Sequence, residues 1–414
     1  MGIYKQPQSN SNERDILRDL AKQYFAITQE PVQNERRHLW RQHNSLKATR
    51  PLIYTRAYAW HEMPFSKLTC VDPLFRHWEN YFRRLLFWHS LDDDSIFEPW
   101  IAVRAAFKQQ GWGFNVERHI SDEERGSFKV DYPIKSLDDF AKMVTPAHII
   151  DEEQTRINFE RMQEAIGDII PVTLDLSPIY SQWVADLSTD LGYLRGIEHF
   201  MLDMLDNPEW LHSVVAFMSR GILKAQAEAE TAGDWNLCAH NNQAMTYAEE
   251  LSDPAPGVNG IKRSQLWCFM AAQEFTAVSP AMHEEFLLRY QMPIMSQFGL
   301  VAYGCCEDLT NKISMLRSIP NLRRIAVAPF ANVARCAEQI GTDYVLSYRP
   351  SPTDMVGYGF NIDRIRGILK RDLTACRGTH VDITLKDVET VEHDPERVRK
   401  WVALTRAIID EIWG

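Results

Sequence analysis

From residue 279 onward, apolar and polar positions fall into short blocks that alternate between strand and helix periodicity. Leu300 to Tyr303, Arg324 to Ala328, Tyr344 to Ser347 and Thr379 to Leu385 are largely apolar runs of strand length, as buried parallel strands are. Leu309 to Ser318, Phe330 to Ile340 and Ile362 to Leu373 lie between them with helical spacing, and Gly341 closes the second of these helices. Ser279-Pro280, an N-cap followed by a first-turn proline, starts a helix that ends at Gly299. Pro395 opens a last helix with Val398, Val402, Thr405, Ile408 and Ile412 on one side. Strand and helix units joined by a few residues predict a parallel sheet.

The earlier chain is less regular. Residues 13 to 47 read as helical, with Leu17, Leu20, Ala21, Tyr24 and Phe25 on one face, followed by the basic, aromatic run Arg36-Arg37-His38-Leu39-Trp40-Arg41. That run suits an arm packed on the protein better than a membrane-surface helix. Pro51 to Tyr54 is a strand candidate, aromatic-rich helices follow from about 73 to 110, and 111 to 150 is an irregular elaboration that fits a lid or a subunit contact. Glu152 to Ile166 is helical, Ile169 to Asp175 is an apolar run ending in a polar residue, and Leu211, Val214, Val215, Met218 and Ile222 mark the helix from Pro208. No Gly-x-Gly-x-x-Gly follows a strand and no Walker motif occurs, which disfavours a doubly wound nucleotide fold. The expected fold is therefore α/β, a TIM (β/α)8 barrel over 51-414 with an insertion at about 73-150, preceded by an N-terminal helical arm over 1-50.

A formal charge of −11 disfavours a general nucleic-acid surface. The polar first twelve residues lack a signal core and no stretch has bilayer-spanning length, so a cytoplasmic protein with no membrane partner is expected. Seven cysteines, an odd number, do not make a secreted disulfide framework. The oligomeric state stays open, a homo-oligomer included.

Barrel chemistry sits where strands end. Cys305, Cys306, Glu307 and Asp308 follow one strand, and two thiols beside two carboxylates suggest either a soft metal or a structural doublet. Only one of adjacent cysteines is expected to face the barrel centre. His380 and Asp382 share a face of the last strand, as a metal pair, an acid/base pair or a hydrogen-bonded structural pair, and Lys386, Asp387 and Glu389 crowd its end. Asp175, Arg349 and Asp354 follow other strands, Gln273 and Glu274 precede Ser279, and Cys238-Ala239-His240 has ligand spacing. Serine-hydrolase, zincin and Cys-x-x-Cys motifs are absent.

The region from Gln273 to Asp387 resembles the uroporphyrinogen decarboxylase-like superfamily, closest to its corrinoid-linked methyltransferases. The resemblance lies in Ser279-Pro280 with Phe286, Tyr290 and Pro293, the strand end at Cys306, Asn321-Leu322-Arg323-Arg324-Ile325 and Gly341-x-Asp343-Tyr344. It implies a TIM barrel and a zinc ion held by a His-x-Cys pair and a distant cysteine. Cys306 keeps the place of the pair's cysteine, Gly304 stands where the histidine would be, and Cys376 precedes rather than follows the last strand. The ligand set then becomes Cys306, Glu307 and His380, with Cys305 and Asp382 in reserve. Arg36, Arg37 and Arg41 match the tetrapyrrole-binding arginine motif only superficially, so tetrapyrrole decarboxylation is not expected.

The resemblance implies methyl transfer between a small methylated substrate, a methoxylated aromatic or a methylamine, and cobalamin carried by a separate corrinoid protein. Glu307, His380 and Asp382 are the expected catalytic residues, and Asp175, Gln273, Arg349, Asp354 and Lys386 the expected substrate-binding ones. The alternatives are a metal-free decarboxylase or lyase on a small aromatic acid, with Asp175 or Asp382 as acid, and a non-catalytic corrinoid-binding protein.

Overall fold

The computed structural model describes residues 11–414 apart from 57–58, 109–110 and 121–125; the polar stretch 1–10 lies outside the described residues. Six short parallel strands form its centre: β1 (Leu52–Thr55), then β6 (Trp267–Met270), β7 (Leu300–Tyr303), β8 (Leu322–Val327), β9 (Val345–Tyr348) and β10 (His380–Leu385), in the spatial order β1-β10-β9-β8-β7-β6. Alternation divides their side chains between two environments. Ile53, Met270, Val301, Tyr303, Ile325, Val327, Leu346, Val381, Ile383 and Leu385 pack under the helices in the largest core. Leu52, Tyr54, Trp267, Phe269 and Ala302 point the other way, into smaller clusters inside the curve of the sheet. The same inner column carries Asp382 beside Ser347, and Ser347 beside Ala326.

β2 (Ile101–Arg104) and β5 (Val172–Asp175) pair in parallel as a separate sheet. Among the described residues no strand ladder joins it to the six, so the expected closed barrel is seen as a six-stranded half-barrel beside a two-stranded piece. The reason lies in side chains that occupy the seams. Asp94 Oδ2 accepts from Ile53 N at 2.7 Å and Asp93 Oδ2 from Thr55 N at 2.7 Å, so the free edge of β1 is satisfied by carboxylates in place of a strand. At the other seam, His240 Nδ1 accepts from Trp267 N, Asn236 Nδ2 donates to Asp175 and Gly257 N donates to Thr173 Oγ1.

The N-terminal arm is two helices. α1 (Ser11–Thr28) lays Leu17, Leu20 and Tyr24 against α3 (Pro73–His89) and α4 (Glu152–Ile166), with Phe82 and Met162 opposite. α2 (Val32–Asn44) carries the basic run, whose charges are engaged by the body: Arg36 by Ser95 and Asp92, Arg37 by Glu98 and Tyr247, Arg41 by Asp253. Its last turn enters the end of the half-barrel where the strands begin, burying Trp40, His43 and Asn44.

Elsewhere the structure revises element types. The aromatic helix stops at His89, and Ile101–Arg104, expected as helix, is a strand. The irregular stretch contains an antiparallel hairpin, β3 (Glu117–Ile120) with β4 (Phe128–Asp131). The helix from Pro280 widens into a π turn at Glu284–Leu288 before Pro293, which relieves the backbone where proline offers no donor. No helix among the described residues is long and apolar enough to cross a membrane.

Candidate active site

The strand-end face of the half-barrel holds a cavity of about 550 Å³, lined by Arg56, Trp183, Thr189, Tyr193, Gln243, Gln273, Glu274, Cys305, Cys306, Lys386 and Asp387. Its polar centre begins at Gly304. This residue has φ +98°, and a Cβ there would meet Leu309 Cδ1 at 2.6 Å and Ala326 Cβ at 3.0 Å. Glycine is therefore required for both backbone and space, and no histidine side chain fits where the zinc-binding pattern would place one. The turn also ends strand alternation, so both cysteines face Lys386, where only one was expected to face inward.

Lys386 follows β10 and is buried. Its Nζ stands 3.0 Å from Cys305 Sγ and 2.9 Å from Cys306 Sγ, and it pairs with the Asp387 carboxylate. The two sulfurs are 3.6 Å apart. The hydrogen bond from Cys306 lowers the Cys305 thiol to about 5, with the Arg349 and Lys386 charges adding to it against burial. Cys306 is raised by the same partnership and by burial. Lowered at Cys305 and raised at Cys306, the pair shares one negative charge beside Lys386, and either sulfur can donate to the other. The anionic sulfur and Asp387 in turn hold Lys386 above its ordinary value although burial and Arg349 oppose this. Asp387 itself has φ +58°, a left-handed conformation at the point where the strand turns into the loop.

Arg349 approaches from the end of β9, donating to the Cys305 carbonyl at 3.0 Å and to Gln243 Oε1. Gln243 also bonds the Cys305 sulfur, while Arg349 itself lines the outer groove and reaches the cluster from behind, through the Cys305 carbonyl and Gln243. Glu274 accepts from Ser188 Oγ at 2.7 Å. Near it lie two acids, Asp186 buried and Asp190 half-buried: burial first, then Glu274, raises Asp186 far above the carboxylate range, and desolvation raises Asp190 to about 6. Leu187 between them has φ +67°, an uncommon conformation for a branched side chain.

Several expected site residues stand elsewhere. Glu307 is fully enclosed, and its two oxygens accept the backbone N–H groups of Ala272 and Cys305, each at 2.8 Å. It fastens β7 to β6 and has no oxygen turned to the cavity. His380 begins β10, so about 20 Å of strand separates it from Lys386. Asp382, two residues on, is buried at the same end, bonded to Arg324, to Ser347 Oγ at 2.8 Å and to His43 Nε2 at 3.2 Å. Asp175 is bound by Arg104, Ser177 and Asn236 at the two-stranded sheet, and Asp354 by Arg364 in an outer groove. Cys238 and His240 line a different pocket, beside Glu98 and Tyr247. Cys306, Glu307 and His380 therefore do not meet, and among the described residues no three His, Cys, Asp or Glu groups are arranged to hold a metal. The zinc set does not fit, because the ammonium of Lys386 already occupies the place between the thiols that a cation would take.

The structure brings together Cys305, Cys306, Gln273, Arg349 and Lys386 from the expected residues. It adds Arg56 and Gln243 from loops, Trp183 from the single 3-10 turn Gln182–Ala185, and Thr189 and Tyr193 from the short helix Ser188–Arg195, none of which had a signal in the sequence beyond its residue type.

No family model and no curated protein matches the chain. Its fold is similar to that of a solved methyltransferase from Methanosarcina mazei, with a TM-score of 0.52 and 15% identity over 91% of this chain and 98% of that one. The likeness extends over nearly the whole of both chains and is a likeness of fold.

Proposed function

We propose that the protein is a cytoplasmic methyltransferase that moves a methyl group between a small methylated substrate, a methoxylated aromatic or a methylamine, and the cobalamin of a separate corrinoid protein. In this reading the six-stranded and two-stranded sheets are parts of one (β/α)8 barrel with side-chain seams. The observation that carries it is the buried cluster of Cys305, Cys306 and Lys386 at the strand-end mouth of a methyltransferase-like fold.

Trp183 and Tyr193 supply faces for a ring or a methylated ammonium, and Glu274 a carboxylate for the latter. The corrinoid, when docked, supplies the cobalt that takes or gives the methyl group. The chain's own residues manage orientation and protons. A methyl ether leaves as an alkoxide or phenoxide unless a proton reaches its oxygen, and the Cys306 thiol and the Lys386 ammonium are the proton carriers at the cluster. The lyase alternative is weakened because its acids, Asp175 and Asp382, lie outside this cavity and are held by Arg104 and Arg324.

The test is anaerobic incubation of the full chain with a reduced corrinoid protein and a panel of methoxyarenes and methylamines, following the cobalt spectrum. Methylcobalt formation with one donor class is expected. Its absence across the panel, with a corrinoid partner shown to be active, overturns the reading.

A further inference from the structure

Direct transfer from substrate to corrinoid leaves Cys305 without a task, since Cys306 and Lys386 suffice for the proton. Yet the structure invests most in Cys305. Its N–H is clamped by Glu307 at 2.8 Å, its carbonyl by Arg349 at 3.0 Å, and its sulfur by Lys386 at 3.0 Å, while the residue still lines the cavity. A soft anion fixed at both backbone ends and facing a substrate cavity is arranged as a nucleophile. We propose that Cys305 Sγ is the first methyl acceptor, so that the methyl group crosses the site in two steps through S-methylated Cys305. This rests on the methyltransferase reading above.

The neighbouring cysteine gives the first step its balance. A lone pair of Cys305 Sγ forms the S–CH3 bond as the C–O bond of a methyl ether breaks; the oxygen keeps the bonding pair and takes the proton of the Cys306 thiol. Cys305 becomes a neutral thioether and Cys306 a thiolate, so the negative charge moves from one sulfur to the other. Lys386 Nζ, 3.0 Å from the first and 2.9 Å from the second, pairs with the charge in both states. A quaternary ammonium donor releases a neutral tertiary amine and needs no proton, in which case Cys306 stays a thiol. In the second step an electron pair of the reduced corrinoid's cobalt forms the bond to the methyl carbon as the C–S bond breaks, so the cobalt is formally oxidised by two electrons; the C–S bonding pair returns to Cys305, and Cys306, where it has given up its proton, regains one from water. The donors that stabilise the Cys305 anion also make it a good leaving group, and a relay needs that property because a more basic sulfur would keep the methyl.

The experiment uses the full chain and donors carrying a deuterated methyl group, first without a corrinoid protein, reading label on the Cys305 and Cys306 peptides by mass spectrometry. Label on Cys305 is expected, with its disappearance and the rise of methylcobalt when the reduced corrinoid protein is added. C305S is expected to lose methylcobalt formation, and C306S to keep the label with quaternary amines but lose most of it with methyl ethers. Wild-type methylcobalt formation by C305S overturns the relay and leaves the methyltransferase reading intact. Label on Cys306 alone, or label on Cys305 that the corrinoid protein does not remove, also overturns it. Methylcobalt without label in the native chain does the same without relying on any variant's fold. Neither label nor methylcobalt with any donor overturns both.

Discussion

The two ends of β10 place charge inside the same half-barrel and use it differently. At the strand's start, Asp382 meets Arg324, His43 and Ser347, all buried, and Asn44 accepts from the other side of Arg324 at 3.0 Å. At its end, Lys386 meets two sulfurs and one carboxylate beside a cavity. Arginine does not give up its proton at ordinary pH, and Asp382 is held at about 2, so the lower pair cannot neutralise itself. A thiol and thiolate can exchange their charge. The lower cluster closes and positions the arm, while the upper one is poised for a change of state. That contrast explains why His380 and Asp382, with the right residue types, do not belong to the candidate site.

The largest expected effect is at the lower end. Asp382→Ala leaves Arg324 buried without its carboxylate and is expected to destabilise the fold by about 3–5 kcal/mol, read by denaturant unfolding. Burial raises the Asp382 carboxyl, but the Arg324 charge and the hydrogen bonds from His43 and Ser347 more than reverse this, from 3.8 to about 2. A carboxyl lowered by folding stabilises above its unfolded value. This contribution is therefore full above about pH 5, declines below about pH 4 and is gone below about pH 2. An unfolding profile in which the wild type and Asp382→Ala differ equally at pH 7 and pH 2 would refute this account.

Periodicity in the sequence identified the correct face of β10 but not depth along it. A period of two places His380, Asp382, Thr384 and Lys386 on one side alike, and only the register with Ser347 and the arrival of α2 show which end is closed. The four C-terminal strands were legible because each is an apolar run between helices with clear spacing. β2 and β6 were not, although β7 and β9 are equally short and buried: β2 follows directly on the aromatic run that reads as helix, and β6 lies ahead of the regular strand and helix alternation that begins at residue 279. The cluster at Cys305, Cys306 and Lys386 could be read as strand-end chemistry, whereas Gln243 and Trp183 reach it from irregular segments whose position depends on distant packing. The expected eight-stranded barrel is seen as a six-stranded half-barrel and a separate pair, because the side chains that fill its seams, Asp93 and Asp94 at one and His240 and Asn236 at the other, carry no periodic signal.

Between the two ends, Gly304 and Glu307 decide how the upper cluster is aimed. Gly304→Ala is expected to cost about 1–3 kcal/mol, because φ +98° disfavours a side chain and Leu309 must move. Gly304→His, which restores the residue type of the zinc pattern, should be destabilised at least as much and bind no zinc. A folded Gly304→His variant with stoichiometric zinc would show that the upper end can be converted to a metal site. Glu307→Gln replaces one acceptor oxygen with a donor facing an N–H group and is expected to cost about 1–2 kcal/mol. Unchanged stability in that variant would mean the carboxylate is not what fastens Cys305.

The smallest effect on stability, and the clearest on reactivity, belongs to Lys386→Met. Methionine keeps much of the volume, and a sulfur that loses its cation can take a proton instead of remaining a buried charge, so the cost is expected to stay near 1 kcal/mol or less. Removing the positive charge raises the Cys305 thiol from about 5. Alkylation of Cys305 by iodoacetamide, followed by peptide mass spectrometry, should be nearly independent of pH between about 6 and 8 in the wild type, because a thiol near 5 is already ionised there. In Lys386→Met the rate should be lower at pH 6 and climb through the same window. Identical profiles would mean that Lys386 does not hold the charge on Cys305, and the contrast between a closed end and a reactive end would lose its upper half. A loss of several kcal/mol would instead make Lys386 a structural cation of the same kind as Arg324.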